Sequence, residues 1–149
     1  MGNGTIITEA VLGDIPDIHR VRMSVRENVL RDPSRVTDAD IARVIERAGK
    51  GWVCRIGGSV CGFSFANGET RNIWALFVEP GFERRGIGRR LHDRAVHWLF
   101  ERGCQTIWLA TEPDTRAEGF YRAADWTAKE LEPNGDRRFE LTPQDWRRS

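Results

Sequence analysis

No run of apolar residues in this 149-residue chain approaches the ~18 that a membrane span requires. Charge of one sign is also lacking. The 23 basic and 22 acidic residues nearly cancel, so no global field draws in nucleic acid or an anionic membrane. Three cysteines, an odd number, argue against a disulfide framework. His19, His92 and His97 share no metal-ligand spacing with one another or with the cysteines. His97 falls on a solvated helix face and His92 borders a buried one, so both read as surface or core-edge residues. Repeats, linkers and low-complexity tracts are absent. The N-terminus has no signal-peptide profile, and Ile6 stands where myristoylation of Gly2 would need Ser or Thr. These absences predict one domain over residues 1–149, cytoplasmic, with neither nucleic acid nor membrane as partner. Such a length buries roughly two-thirds of the unfolded surface.

What is present alternates between strand and helix patterns. Thr5 to Leu12 reads as a strand. Asp14 can cap a helix whose apolar stripe is Ile15, Ile18, Val21, Val25 and Val29. A polar loop at 30–36 follows. Thr37 caps a second helix, with Asp40 completing a capping box and Ile41, Val44, Ile45 and Ala48 inward. Trp52–Ile56 and Ser59–Ala66 form a hairpin about Gly57-Gly58. A two-residue turn there pairs Ile56 with Ser59 and Cys54 with Cys61. The two thiols, like Cys104 at the start of a later strand, suit packing. A strand at 72–78 precedes a helix opening near Gly86, with Ile87, Leu91, Ala95, Trp98 and Leu99 on one face. After Arg102-Gly103 come a strand at 106–110, a short helix carrying Tyr121 and two strands about Asn134-Gly135. Trp52, Trp74, Trp98 and Trp108 fall at core-compatible positions. The order predicts an α/β (α+β) fold: a mixed sheet with helices on both faces.

The chemistry concentrates in Glu79-Pro-Gly-Phe-Glu-Arg-Arg-Gly-Ile-Gly-Arg-Arg90. A glycine-rich turn that opens a helix presents backbone N–H groups to phosphate oxygens. Glycines at 86 and 88 let the main chain approach a ligand, and Arg84, Arg85, Arg89 and Arg90 add charge. Two look-alikes fail. Gly81-x-x-x-x-Gly86 is followed by Ile87-Gly88 where a P-loop needs Lys-Ser/Thr, and Gly86-x-Gly88-x-x-Leu91 lacks the third glycine of a dinucleotide fingerprint. RNA binding through Arg84–Arg90 would call for a broad basic face with stacking aromatics. Glu79, Glu83 and the balanced charge weigh against it.

Glu83-x-x-Gly86-x-Gly88 resembles the [Gln/Arg]-x-x-Gly-x-[Gly/Ala] signature of the GNAT superfamily of acyl-CoA N-acyltransferases, with Glu83 replacing the usual Gln or Arg. A second segment is similar to the family's Asn-x-x-Ala-x-x-Phe-Tyr-x-x-x-Gly-Phe. Ala117, Phe120 and Tyr121 match it, while Asp114, Asp125 and Trp126 stand for the asparagine, the glycine and the last phenylalanine. The resemblance implies the GNAT fold over essentially the whole chain, with a central mixed, mostly antiparallel sheet. Acyl-pantetheine would lie where the strand at 72–78 splays from the one at 104–110. Acetyl-CoA is the implied co-substrate, with no metal, held by Phe77, Val78, Arg84, Arg85, Gly86, Ile87, Gly88, Arg89, Asp114 and Tyr121. An N–H near Val78 would stabilise the oxyanion and Tyr121, the only tyrosine, would protonate the departing thiolate. An ordinary tyrosine titrates near pH 10, so a basic limb is expected there.

Asn72 occupies the position where some family members carry a catalytic glutamate. Glu69 and Glu27 lie close by, and Glu27, at the end of the first helix, is the candidate base. The implied reaction is acetyl transfer to a primary amine of a small molecule or peptide. That acceptor would sit between the 29–37 loop and the Glu132–Asp136 hairpin, neither of which has the dense acidic lining a polyamine would favour. Dimers are common in the family, so a homodimer is an expected assembly. The departures at Glu83, Asp114 and Asp125 leave a second reading, a catalytically silent acyl-CoA sensor on the same fold.

Overall fold

The computed structural model describes residues 4–29 and 36–148. Seven strands form one sheet in the order β1-β2-β3-β4-β5-β7-β6. They are β1 (Thr5–Glu9), β2 (Gly49–Ile56), β3 (Ser59–Asn67), β4 (Asn72–Val78), β5 (Ile107–Thr111), β6 (Thr127–Leu131) and β7 (Arg137–Leu141). Every pairing is antiparallel except β4 with β5, which run parallel and share a single pair, Asn72 with Trp108. Beyond that pair the two strands part, as the resemblance implies.

The helices are α1 (Ile15–Ser24), α2 (Asp38–Arg43, continued by a π turn over Val44–Ala48), α3 (Ile87–Glu101), α4 (Arg116–Ala123) and α5 (Pro143–Arg148). Each face of the sheet carries its own core. On one, Ile15, Ile18, Val21, Ile41 and Val44 pack on Val53, Val60, Phe63 and Phe65. On the other, Ile87, Leu91, Ala95, Val96 and Leu99 of α3 join Trp52, Cys54, Cys61, Tyr121 and Trp126. Alternation along β2 and β3 feeds both cores, which the mixed-sheet expectation requires.

Several expectations need correction. β1 stops at Glu9 and a 3-10 turn occupies Leu12–Asp14. Asp14 makes no side-chain cap to α1. Its carboxylate instead accepts from Val11 N at 2.9 Å and pairs with Arg55. α1 ends at Ser24 because Val25 turns extended (ψ 153°), so Val25 and Val29 leave the helical stripe. The two cysteines are not cross-strand partners, although they lie in the same core. Cys54 pairs with Gly62 and Arg55 with Val60, leaving Cys61 as the extra residue of a β-bulge. Both are buried as packing groups, and burial pushes the Cys61 thiol up to about 12. β5 begins at Ile107, after Cys104. Of the four tryptophans assigned to the core, only Trp52 is fully buried; Trp126 is the other buried one. The Thr37–Asp40 capping box forms as expected. Most of the 30–36 loop lies outside the described residues.

Candidate active site

The N-terminus of α3 has the features that suit an anion. Gly86 precedes the helix with φ 78°, a left-handed conformation that suits glycine. No side chain caps it, and its first turn has no acidic residue. That turn instead carries Arg89 and Arg90, the sign of charge the helix dipole disfavours there. The N–H groups of Ile87, Gly88 and Arg89 have no acceptor among the described residues. A Cβ on Gly88 would meet only Val78 Cγ2, at 3.7 Å, so the fold itself tolerates a side chain there.

From this terminus a cavity of about 680 Å³ runs between the parting strands. Leu76, Phe77 and Val78 of β4, Leu109 to Thr111 of β5, and Phe120 and Tyr121 of α4 wall it. Glu79 N donates to Cys61 O of β3 at 2.8 Å. Because successive N–H groups on a strand point to opposite sides, the Val78 N–H faces the open gap. Arg84, Gly86, Gly88 and Arg89 line the cavity; Ile87 is 2% exposed and offers only its backbone to a ligand. Arg89 Nε also pairs with Asp93 Oδ1 at 3.0 Å. Arg85 and Asp114 lie outside the lining. The Arg85 guanidinium sits 5.2 Å from the Phe82 ring centre, and Asp114 N donates to Glu118 Oε1 at 3.1 Å.

The departures from the family signature have structural explanations. Asp114 and Asp125 take φ 61° and 73°. Asn, Asp and Gly are the residues that tolerate this left-handed region, so Asp can replace Asn or Gly without changing the turn. Glu83 folds back on its own loop, accepting from Gly81 N at 2.8 Å. Hydrogen bonds from its own and the Gly81 N–H hold its carboxyl below the usual range. It is therefore a fixed anion at the edge of the cradle.

Tyr121 is 6% exposed and faces the cavity from α4. Phe120, Trp126 and Phe139 surround its ring, and its hydroxyl has no hydrogen-bond partner among the described residues. Burial raises its pKa well above that of an ordinary tyrosine. Glu27 lies past the end of α1, on the cavity between β4 and β5, where Oε1 accepts from Arg116 N at 3.0 Å. Glu69 lines neither cavity and pairs with Arg43 at 2.6 Å.

A second cavity, of about 400 Å³, opens on the α1–α2 side of β4. Phe63, Phe65, Trp74 and Phe77 form its floor, and Arg22, Glu112 and Asp136 bring charge. Phe65 pairs with Ala75 and Ala66 with Ile73, so Trp74 is the extra residue of a bulge in β4. Sequence reasoning did not identify Asn28. Its Oδ1 accepts from Thr111 Oγ1 at 3.1 Å and from Glu112 N at 2.9 Å, and it borders both cavities. Its one signal is the polar Arg26-Glu27-Asn28 run after an amphipathic helix. His19 lines the second cavity, bonded to Asp38 Oδ1 at 2.7 Å. Among the described residues no cluster could hold a metal, and no helix is long and apolar enough to cross a membrane.

A helix terminus with unpaired N–H groups beside two splayed strands is an arrangement that suits an anionic, extended coenzyme. The Acetyltransferase (GNAT) family matches residues 15–126, and the chain belongs to that family. It is 29% identical over 91 residues to an uncharacterized N-acetyltransferase of Methanocaldococcus jannaschii, covering 54% of this chain and 40% of that protein. A probable N-acetyltransferase of Mycobacterium tuberculosis is 32% identical over 80 residues, covering 50% and 45% respectively. The chain thus spans less than half the length of these curated relatives. In fold it is similar to the PaiA N-acetyltransferase of Thermoplasma acidophilum, solved in complex with coenzyme A. The TM-score is 0.79 at 12% identity, over 93% of this chain and 98% of that one. Family membership implies acetyl-CoA as the acyl donor.

Proposed function

We propose that the chain transfers an acetyl group from acetyl-CoA directly to a primary amine of a small molecule or peptide. The observation that carries this is the meeting of two cavities at Phe77, Ala110 and Asn28, one leading from the cradle and the other open to an acceptor. A direct transfer needs both reactants in one cleft, which replaces a bimolecular encounter with a positioned one.

In this reading the pyrophosphate takes the free N–H groups of α3, with Arg84 and Arg89 beside it. Arg85 and Asp114 would act indirectly, by shaping the loops. Pantetheine lies along the open edge of β4 past Phe77. An acceptor ammonium, with an ordinary pKa near 10, must first lose a proton. Glu27 would take it through water, since its carboxylate reaches the cleft from the cofactor side. The amine nitrogen then attacks the thioester carbonyl, and the oxyanion receives the Val78 N–H. Collapse breaks the C–S bond. Tyr121 gives its proton to the leaving sulfur and regains one, through water, from the new amide nitrogen. The sum is an amide, free CoA and one proton released to solvent.

The test is thiol release from acetyl-CoA with a panel of amines. Acceptor-dependent release supports transfer. Tight cofactor binding with no release for any amine would favour the silent sensor.

A further inference from the structure

The second cavity contains a cation with one donor unsatisfied among the described residues. Arg22, on the last turn of α1, lays its guanidinium 4.1 Å from the centre of the Phe77 ring. Its Nη1 is buried with no hydrogen-bond partner among the described residues. Burial lowers its pKa, while the nearby Glu112 carboxylate favours the charge. An unpaired buried N–H of a guanidinium is costly, and native folds keep such groups mainly where a ligand or water completes them. Phe77 is the residue that places Arg22 at the reaction centre, because it walls both cavities.

The rest of the cavity describes what would complete it. Phe63, Phe65 and Trp74 offer an apolar, aromatic surface. Glu112 and Asp136 offer negative charge. A ligand that answers all three features has a carboxylate, an apolar body and an ammonium. Resting on the acetyl-transfer reading above, we propose that the acceptor is an amino acid with an apolar side chain, its carboxylate bound by Arg22. The apolar side chain lies on the Phe63–Phe65–Trp74 floor. Its amine, drawn by the two acids, reaches the thioester at the Phe77 end, where attack forms the C–N bond and releases the thiol. The carboxylate itself does not react. A guanidinium matches a carboxylate with two parallel N–H donors, which an amide or ester cannot accept equally well.

Leucine, methionine and phenylalanine, each as free acid and as primary amide, would be assayed for thiol release with the whole chain. Binding to the CoA-loaded protein would be measured by calorimetry in parallel. The free acids should exceed the amides by about tenfold or more in kcat/KM, the size expected of a charge-assisted hydrogen bond. Arg22→Met, which keeps the apolar stem over Phe77, should erase that preference while leaving acetyl-CoA affinity unchanged. Arg22→Lys should retain part of it. If the variants fold poorly, the acid-to-amide ratio of the unaltered protein decides. Amides used as well as acids, or a preference that survives Arg22→Met, would overturn the proposal and leave acetyl transfer standing. If no amine is turned over, the binding arm decides. Arg22-dependent binding of the acids upholds the carboxylate site while the acceptor role fails together with the transfer reading, and no binding of any acid overturns the site as well.

Discussion

Tyr121 and His92 are buried within one aromatic cluster, and burial opposes charge on both. For Tyr121 this makes the hydroxyl a weaker acid than an ordinary phenol. A general acid typically contributes ~10²–10⁴-fold. With its pKa raised, Tyr121→Phe should lower kcat toward the ~10² end and leave acetyl-CoA affinity unchanged, since the ring contacts remain. The raised pKa also revises the expected limb near pH 10. Tyr121 stays protonated through that range, so any alkaline fall below pH 10 must belong to another group and persist in the variant. Rate profiles of both proteins over pH 6–10 check this, and a limb lost only in Tyr121→Phe would mean that Tyr121 titrates in that range and that burial does not raise its pKa. His92 is fully buried, not at the core edge. Trp126 Nε1 donates to its Nε2 at 2.9 Å, which leaves Nδ1 carrying the proton toward Asp93 Oδ1 at 2.8 Å. Desolvation lowers its pKa in the fold. The unfolded chain then binds a proton that the folded one resists, so this contribution is full above pH ~6.5 and declines below it. Melting temperature should fall from pH 7 to 5. His92→Gln, though less stable, should show a flatter slope over that window.

At the scale of elements, α3 and its preceding loop separate stability from binding. Gly86→Ala forces a Cβ into φ 78° and should cost about 1–2 kcal/mol of stability. Gly88→Ala meets open space in the fold, so its melting temperature should stay near the parent's while CoA affinity falls. Arg90→Ala, an exposed and screened charge, should weaken CoA far less. Calorimetric Kd values on variants shown to be folded provide the comparison. Normal binding by Gly88→Ala would mean the phosphate lies elsewhere. This element was legible because its signals are local: glycine spacing, arginines in a first helical turn and a regular apolar stripe. The capping box of α2 was legible for the same reason. What escaped depended on partners distant in sequence. Asp14 looked like a cap but serves Arg55 and Val11. The Cys61 bulge shifts a pairing that turn geometry alone fixes differently. Arg22 reads as one of many surface arginines until Phe77 and Glu112 are brought beside it. Asn28 gains its role only when β5 presents Thr111 and Glu112 to it.

At the scale of the molecule, the sheet is continuous but narrowest in pairing at its middle, where β4 and β5 share only Asn72 and Trp108. The cavity at that junction takes walls from both halves: Phe77, Val78 and the α3 terminus on one side, Leu109 and Tyr121 on the other. A ligand filling it should act as a tie between them, which a fragment held by the cradle alone cannot. Acetyl-CoA at about 100-fold excess over Kd should add ~2.7 kcal/mol, or roughly 5–10 °C in melting temperature for a chain of this size. Unacylated CoA should protect nearly as well, because pyrophosphate and pantetheine supply most of the contacts. Adenosine diphosphate, compared at equal fractional saturation, should give a similar equilibrium shift but a different exchange pattern. Amide hydrogen exchange should slow at the α3 terminus with either ligand, and along β5 and α4 only with CoA. Protection confined to the cradle in the presence of CoA would mean that the pantetheine arm does not enter the gap between the strands. It would remove the physical basis for bringing thioester, Tyr121 and acceptor together.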